Sequence, residues 1–563
     1  MKILITGQTA ELRLLADLLR KLGNDVSEGA PAPGHDVLVW SSEVADEATA
    51  TQIAALDPAR ICDISGGTDP LAPGGVLDEQ ALQAVAGLVD TTGFPGGPPT
   101  RTPVPFVAIS TALHAACAIL AQHLGGDGGR VEVSRYLAAV TALTTFLPAG
   151  LLGREASRIG NAHPASSPWN GYPASDGWVL ICTSKDDQWR KLCQVADYAP
   201  LNDPGFAVQS DRIARRAEVD GLLSDWTRGL TAAECARRLG AVGVPSGPIL
   251  TLLGLANEPN VALRQPEVVR QLGMGGDPFG AAQLFQSTPW PETKPTRGWE
   301  TGTKGPLSGL KVVEIGQFTT VPLAGRHLVH LGADVLKIEP PGGEPARSWA
   351  PLLDGLSHYY TITNSGKQVV QLDMRDPDRM AWLRDRIAEA DVLVENMRPG
   401  VLAQFGLTPE ALSRLNPRLV AVSVSGFGAH SAYPGRAAFD TVIQGMSGIM
   451  DLTRAEGQPV KLGISAADIL GAQVALLAVL SALTQGEGCF VDLAMQDVGV
   501  YAALASDGSA VATVDVPIRT VREIAQNPAF QAECLTTIPD EQGLPRAAVR
   551  MPYQLHPGPA RMA

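Results

Sequence analysis

The chain has no cysteine pair in a Cys-x-x-Cys arrangement. Its seven cysteines, Cys62, Cys117, Cys182, Cys193, Cys235, Cys489 and Cys534, are scattered over 563 residues without metal-type spacing. An odd number so dispersed fits free thiols in a reducing compartment, with no disulfide framework and no metal site. The longest apolar run, about Ala472 to Leu483, is too short to cross a bilayer and reads as a buried helix, so no membrane partner is expected. No basic stretch followed by a long apolar one opens the sequence. A signal peptide is therefore not apparent, and a cytoplasmic location is expected. Positive charge is scarce too: 44 Lys and Arg stand against 58 Asp and Glu, a formal charge of −14. That balance argues against nucleic acid as a partner. An anionic ligand would need a local cluster of cations acting against the overall field. The G-x-G-x-x-G turn is missing as well. The turn after the clearest strand reads Gly316-Gln317-Phe318-Thr319-Thr320-Val321-Pro322, which disfavours a nicotinamide enzyme.

What the chain does have is one protein written twice. Lys2-Ile3-Leu4-Ile5-Thr6-Gly7-Gln8 returns as Lys311-Val312-Val313-Glu314-Ile315-Gly316-Gln317, and Leu22-Gly23-Asn24-Asp25-Val26 as Leu331-Gly332-Ala333-Asp334-Val335. Asp36-Val37-Leu38-Val39 is echoed by Asp391-Val392-Leu393-Val394, and Leu56-Asp57-Pro58 by Leu415-Asn416-Pro417. The copies have complementary gaps. Gly7 and Asp36 are 29 positions apart where Gly316 and Asp391 are 75 apart, so copy one lacks a counterpart of about 345–390. Copy two lacks what copy one carries as roughly 141–240. Neither copy is complete alone, and together they make one complete set of parts. Residues kept in only one copy are then candidates for chemistry, and those kept in both for scaffold.

Segments alternate between strand and helix. Val312–Ile315, Asp334–Ile338, Val369–Leu372, Val392–Val394 and Leu419–Val424 read as strands. About 322–331 and Arg379–Glu389 read as helices. The rhythm predicts an α/β fold: Rossmann-like, mostly parallel sheets in large domains, with ligands at the carboxyl ends of strands. The expected division is a degenerate large domain over 1–140, a small α+β domain over 141–250 and a return segment with linker over 251–305. A second large domain follows over 306–510, then a return segment and tail over 511–563. The stretch 285–308 reads as a surface linker, and Pro557-Gly558-Pro559 as tail.

Copy two carries the phrases Pro306–Glu314, Leu331–Glu339, Ala390–Gly400, Asn416–Leu419 and Val491–Asp497. In these it resembles the family III CoA-transferases of the formyl-CoA and carnitine type. In copy one, Gly160-Asn161-Ala162-His163-Pro164 followed by Ala174-Ser175-Asp176-Gly177-Trp178 is similar to the entry into that family's small domain. The resemblance implies interlocked subunits with each site between the large domain of one and the small domain of the other. The fused chain would then be a covalent pseudo-dimer with one surviving site, itself able to pair as a homodimer. The substrates implied are coenzyme A as acyl-CoA and a small carboxylic acid, with no metal.

In the family, an aspartate before a long apolar helix is the nucleophile, and Asp468 in Gly463–Gly471 matches it. A carboxylate is ionised at neutral pH and can attack a thioester carbonyl to form a mixed anhydride. Asp468 lies near a helix amino terminus, where free backbone N–H groups would support developing negative charge. On spacing alone an ordinary N-cap aspartate is the alternative. The repeat weighs against it, because copy one has Ala108 at the equivalent position. A related subgroup racemises 2-methylacyl-CoA with a His–Asp pair. Its histidine falls near Phe439, which carries no proton, so two-base racemisation is disfavoured.

For CoA the resemblance implicates Phe318 and Thr319 in the first loop, Leu372 and Arg375 after a strand, and Asn396, Met397 and Arg398 in a third loop. It also implicates Arg436 and Phe439, with Lys337 at a strand end as a phosphate partner. His163 either fixes a turn or lines the acyl pocket opposite Asp468. Departures from the family pattern are Thr319-Thr320-Val321 where glycine-rich residues are common and Pro340 where a basic residue is common. Besides CoA transfer through Asp468, the alternatives are an acyl-CoA lyase, hydratase or isomerase on the same fold, and a non-catalytic acyl-CoA-binding pseudo-enzyme.

Overall fold

Two parallel sheets carry the repeat. A computed structural model describes residues 1–56, 60–72, 74–126, 128–155, 158–296, 298, 304–506 and 515–557. The echo at Asp57-Pro58, the Gly558-Pro559 tail and part of the 285–308 linker lie outside the described residues.

Sheet one runs Asp25–Glu28, Lys2–Ile5, Val37–Trp40, Arg60–Ser65, Gly129–Ser134 and Tyr553–Pro557, and only the last strand is antiparallel. Sheet two runs Gln368–Gln371, Asp334–Glu339, Lys311–Ile315, Val392–Glu395, Val420–Ser425, Cys489–Ala494 and Gln286–Pro289, again antiparallel only at the last. Even the register repeats. Lys2 opposes Asp25 as Lys311 opposes Asp334, and Arg60 opposes Gly129 as Val420 opposes Cys489. The strands are near-continuous apolar runs such as Val-Leu-Val-Trp, as expected for strands covered on both faces.

The gaps fall where the two courses diverge. Copy one passes from Asp25–Glu28 to Val37–Trp40 by a short loop. Copy two inserts the helix His358–Asn364, the strand Gln368–Gln371 and the helix Pro377–Glu389. Copy one in turn carries a three-stranded antiparallel sheet, Trp169–Ala174, Gly177–Cys182 and Ser246–Pro248, backed by four helices. This unit has its own core around Tyr172, Trp189, Phe206, Leu223 and Leu239.

The copies exchange their ends. Gln286–Pro289 follows copy one yet completes the sheet of copy two. Tyr553–Pro557 follows copy two yet completes the sheet of copy one. The 285–308 stretch is therefore not a plain linker. Alternation along Gln-Ser-Thr-Pro is too polar to signal a strand, but the Cys489–Ala494 edge offers it a ladder, and Trp290 anchors it with its indole N–H on the Leu419 carbonyl (2.8 Å). A second tie is Arg264 of the first copy's return segment, its side chain wholly buried between Asp492 (2.6 Å) and Asp497 (2.8 Å).

At the centre the helices Phe106–Leu124 and Ala466–Gln485 pack against each other, one from each copy. Both are long and apolar enough to cross a membrane, yet they are 89% and 94% buried inside the molecule. Each fully buried Leu, Ile or Val there contributes about 1.5–3 kcal/mol. The polar exceptions pair across the seam: the Gln473 amide donates to Ser110 Oγ (3.0 Å).

Candidate active site

Asp468 lies in the first turn of the helix Ala466–Gln485, three residues after its N-cap Ser465, which makes no side-chain capping bond. Its carboxylate does not cap the helix either. Asp468 Oδ1 accepts a hydrogen bond from Thr320 Oγ1 (2.7 Å), at the start of the helix Thr320–His330. Thr320 reaches it because Gly471 lacks a side chain: a Cβ there would stand 3.1 Å from Thr320 Cγ2. Tyr359 donates to Thr319 Oγ1 (2.7 Å), and the Thr319 hydroxyl beside Asp468 slightly favours its charged form.

The free N–H groups expected beside Asp468 are not free. Asp440 Oδ1 accepts from the backbone N–H of Ala467 (2.8 Å) and of Asp468 itself (3.3 Å). Asp440 caps the helix in place of Ser465, and its negative charge offsets the positive helix end. Burial, and secondarily the Asp440 charge, push the Asp468 carboxyl up from 3.8 to about 7. Burial raises Asp440 as well, against the nearby Lys461 ammonium. Burial lowers Lys461 in turn.

Copy one retains the same cap without the aspartate. Glu79 accepts from the N–H groups of Val107 and Ala108 (both 2.9 Å) and is held by Gln83 (2.7 Å). In copy two Gln444 holds Asp440 (2.8 Å). The acid–x–x–x–Gln spacing in both copies was the sequence signal for Asp440.

The first loop is held from beneath by buried charge. Phe318 adopts a left-handed φ of 68°, and its N–H donates to Glu344 (2.7 Å). Such a backbone costs a non-glycine residue on the order of 1 kcal/mol, so the Glu344 bond fixes a strained loop. Lys337 bonds Glu314 (3.0 Å), Glu344 (3.2 Å) and the Gly316 carbonyl (3.0 Å). It is wholly buried, so it supports the loop and does not reach a phosphate. The Leu372 side chain likewise packs in the core under sheet two, one residue past its strand. Neither side chain is placed to touch a ligand.

The other candidates sort by position. Phe318 stacks on Trp349 (5.7 Å), which packs on Tyr359 (5.1 Å). Phe318 and Trp349 are exposed, an aromatic platform beside the loop. Asn396 pins the two loops together: its side chain accepts from Gln317 N–H (3.0 Å) and donates to Gln317 O (2.9 Å). Met397 follows, its N–H on Glu395 (2.7 Å). Arg398 and Arg375 are exposed past the ends of Val392–Glu395 and Gln368–Gln371. Arg375 pairs with Asp373 (2.9 Å), an exposed pair that binds weakly. Both remain available to phosphates.

Arg436, Phe439 and His163 lie on the seam with the small domain. Arg436 donates to the Ser246 carbonyl and stacks on Tyr433 (4.5 Å) and Phe427 (5.2 Å). Phe439 packs on Trp169 (4.7 Å), which packs on His163 (4.8 Å). His163 also fixes its turn, Nδ1 accepting from Ala165 N–H (3.2 Å). Burial, then Lys461 and Arg216, lower it to about 4, so it is neutral at pH 7. Sequence reasoning missed Thr320, Asp440, Glu344, Trp349, Tyr359 and Lys461. All but Asp440 carry no spacing signal, because their roles arise from packing.

This arrangement offers a partly exposed carboxylate with a raised pKa, a hydroxyl donor on one of its oxygens and an adjoining loop at the strand ends. The model of CoA-transferase family III matches residues 67–301 and again 307–533, once in each copy. The succinate–glutarate CoA-transferase of Agrobacterium fabrum is 39% identical over 208 residues, 35% of this chain and 52% of that protein. The acetyl-CoA:oxalate CoA-transferase of Acetobacter aceti is 37% identical over 201 residues, 34% and 52% of the two. A probable CoA-transferase of Mycobacterium tuberculosis is 25% identical over 418 residues, 68% and 52%. A solved CAIB/BAIF family protein from Brucella suis is 38% identical over 35% of this chain and 55% of its own, with a TM-score of 0.34. The chain spans about half the length of the curated relatives it matches. With the family pattern present in both halves and covering most of its length, the chain belongs to CoA-transferase family III.

Proposed function

We propose that the chain transfers coenzyme A from an acyl-CoA to a small carboxylic acid, with Asp468 as nucleophile. In this reading a carboxylate oxygen of Asp468 attacks the thioester carbonyl. The C–S bond breaks, CoA leaves as thiolate and a mixed anhydride remains. The thiolate then attacks the Asp468 carbonyl carbon and expels the donor's carboxylate, leaving an aspartyl-CoA thioester. The acceptor carboxylate attacks that thioester and releases CoA thiolate. The thiolate attacks the acceptor's carbonyl in the second anhydride, which frees Asp468 and the new acyl-CoA.

Thr320 orients the attacking carboxylate, and the part-buried site limits hydrolysis of the anhydride. Phe318 and Trp349 offer an apolar face for CoA, with Arg375 and Arg398 for its phosphates. The neutral His163, stacked through Trp169 and Phe439, forms the small-domain wall. Two of the relatives are named for the dicarboxylates succinate and glutarate or oxalate, so a dicarboxylate acceptor is the first to try. Seven free, buried cysteines agree with the cytoplasmic location we propose.

The observation that carries the reading is Asp468 itself. It is a helix-start carboxylate bound to Thr320 instead of its own helix, raised to about 7, in the one copy that keeps it. The test is Asp468→Ala: transfer from succinyl-CoA is lost while CoA binding persists. Wild-type turnover retained by that variant would end the proposal.

A further inference from the structure

A cavity of about 510 Å³, whose lining does not include Asp468, lies between the two copies and the C-terminal strands. Arg326, His327 and His330 line it from the helix Thr320–His330, and Ile469 and Gln473 from the helix Ala466–Gln485. Tyr553 closes it from the strand that copy two lends to sheet one. The volume lies within the roughly 300–1,000 Å³ typical of small-molecule sites.

Two features separate it from an ordinary packing defect. No Asp or Glu is among its lining residues, although the chain carries 58 of them. The Arg326 guanidinium lines it with no hydrogen bond or ion pair among the described residues. Around it, His327 Nδ1, Gln473 Oε1 and Tyr553 Oη are buried without partners, as is Nε2 of His114, whose ring lies 5.8 Å from that of His327. Buried polar groups are rarely left unpaired, whereas Arg326 itself is half-buried and open to the cavity. The rest of the wall is mostly apolar, including Leu323, Ile538, Val549 and Met551.

We propose that this cavity binds an amphiphilic monocarboxylate, its carboxylate on Arg326 and its hydrocarbon chain along the apolar wall. One anionic group is favoured over a phosphate ester because Arg326 is the one fixed charge on the wall left without a partner. The other, Arg550, is exposed at the rim and donates to the Leu535 (2.8 Å) and Ala532 (3.3 Å) carbonyls. Burial holds His327 well below its usual range, so its imidazole is neutral at pH 7, while His330 stands exposed at the rim. A guanidinium binds a carboxylate through two parallel N–H bonds.

The test is calorimetric titration of the full chain with sodium octanoate. Wild type binds it saturably, one per chain. Arg326→Gln weakens binding about tenfold or more. Octan-1-ol, which lacks the charge, and acetate, which lacks the chain, bind far more weakly. Ala548→Trp fills the cavity and blocks binding, whereas Asp468→Ala leaves it unchanged. Absence of saturable binding overturns the proposal. So does equal affinity in wild type and Arg326→Gln, or loss in Asp468→Ala with retention in Ala548→Trp. If Arg326→Gln does not fold, binding retained by a natively melting Ala548→Trp overturns it alone.

Discussion

Replacing Asp440 by Asn tests whether the cap sets the reactivity of Asp468. Asn keeps the oxygen that accepts from Ala467 and Asp468 N–H, so the helix start keeps its geometry, while the neighbouring negative charge is removed. Raising Asp468 from 3.8 to about 7 corresponds to about 4 kcal/mol against its charged form. Burial is the larger cause and the Asp440 charge the second. The variant should therefore recover less than half of the rise, moving the acidic limb of the rate profile down by about one pH unit. The sign follows from the chemistry: only the ionised carboxylate attacks, so the rate climbs with pH through the carboxyl's pKa. Because the two carboxyls interact, the limb belongs to the pair, and the wild-type and Asp440→Asn profiles must be compared directly. The assay is kcat/KM for CoA transfer between about pH 5 and 9. An acidic limb that stays in place, or moves upward, refutes the assignment of Asp440.

Asp468→Asn should stabilise the fold. A carboxyl raised on folding opposes stability above its unfolded value, so the melting temperature rises by a few degrees near pH 8 and gains nothing near pH 4. Gly463→Val should open the seam before the helix Ala466–Gln485. A Cβ there would run into the Thr91 carbonyl of copy one, so urea melts should show a loss of at least about 2 kcal/mol, with transfer activity falling alongside. Lys337→Met breaks a buried pairing with Glu314 and Glu344 and should cost about 3–5 kcal/mol in unfolding. Arg398→Ala should leave stability unchanged and raise KM for the CoA substrate. The reverse pattern for Lys337 and Arg398 would restore Lys337 as a phosphate ligand.

The scaffold was legible because its cues are local. Strands expected at Val312–Ile315, Asp334–Ile338 and Leu419–Val424 lie within a residue of Lys311–Ile315, Asp334–Glu339 and Val420–Ser425. Apolar runs buried on both faces leave little choice of structure. The repeat was equally plain, since the copies preserve even strand register. Gln286–Pro289 was not legible: its strand character comes from the edge it completes, not from its own residues. Lys337 misled for a similar reason. A lysine at a strand end reads as solvent-facing, and only the fold shows Glu314 and Glu344 converging on it. Asp468 stood out by its absence from copy one. Thr320 and Tyr359, which shape its chemistry, come from elements that meet it only in space.

The claim that two incomplete copies build one reactive carboxylate is tested most directly by counting adducts. The chain is incubated with succinyl-CoA, the covalent intermediate is trapped with hydroxylamine, and modified peptides are quantified by mass spectrometry. One adduct per chain, on Asp468 and on no carboxylate of copy one such as Glu79, is the expected result. An adduct on Glu79, or full turnover with Asp468 never modified, would contradict it.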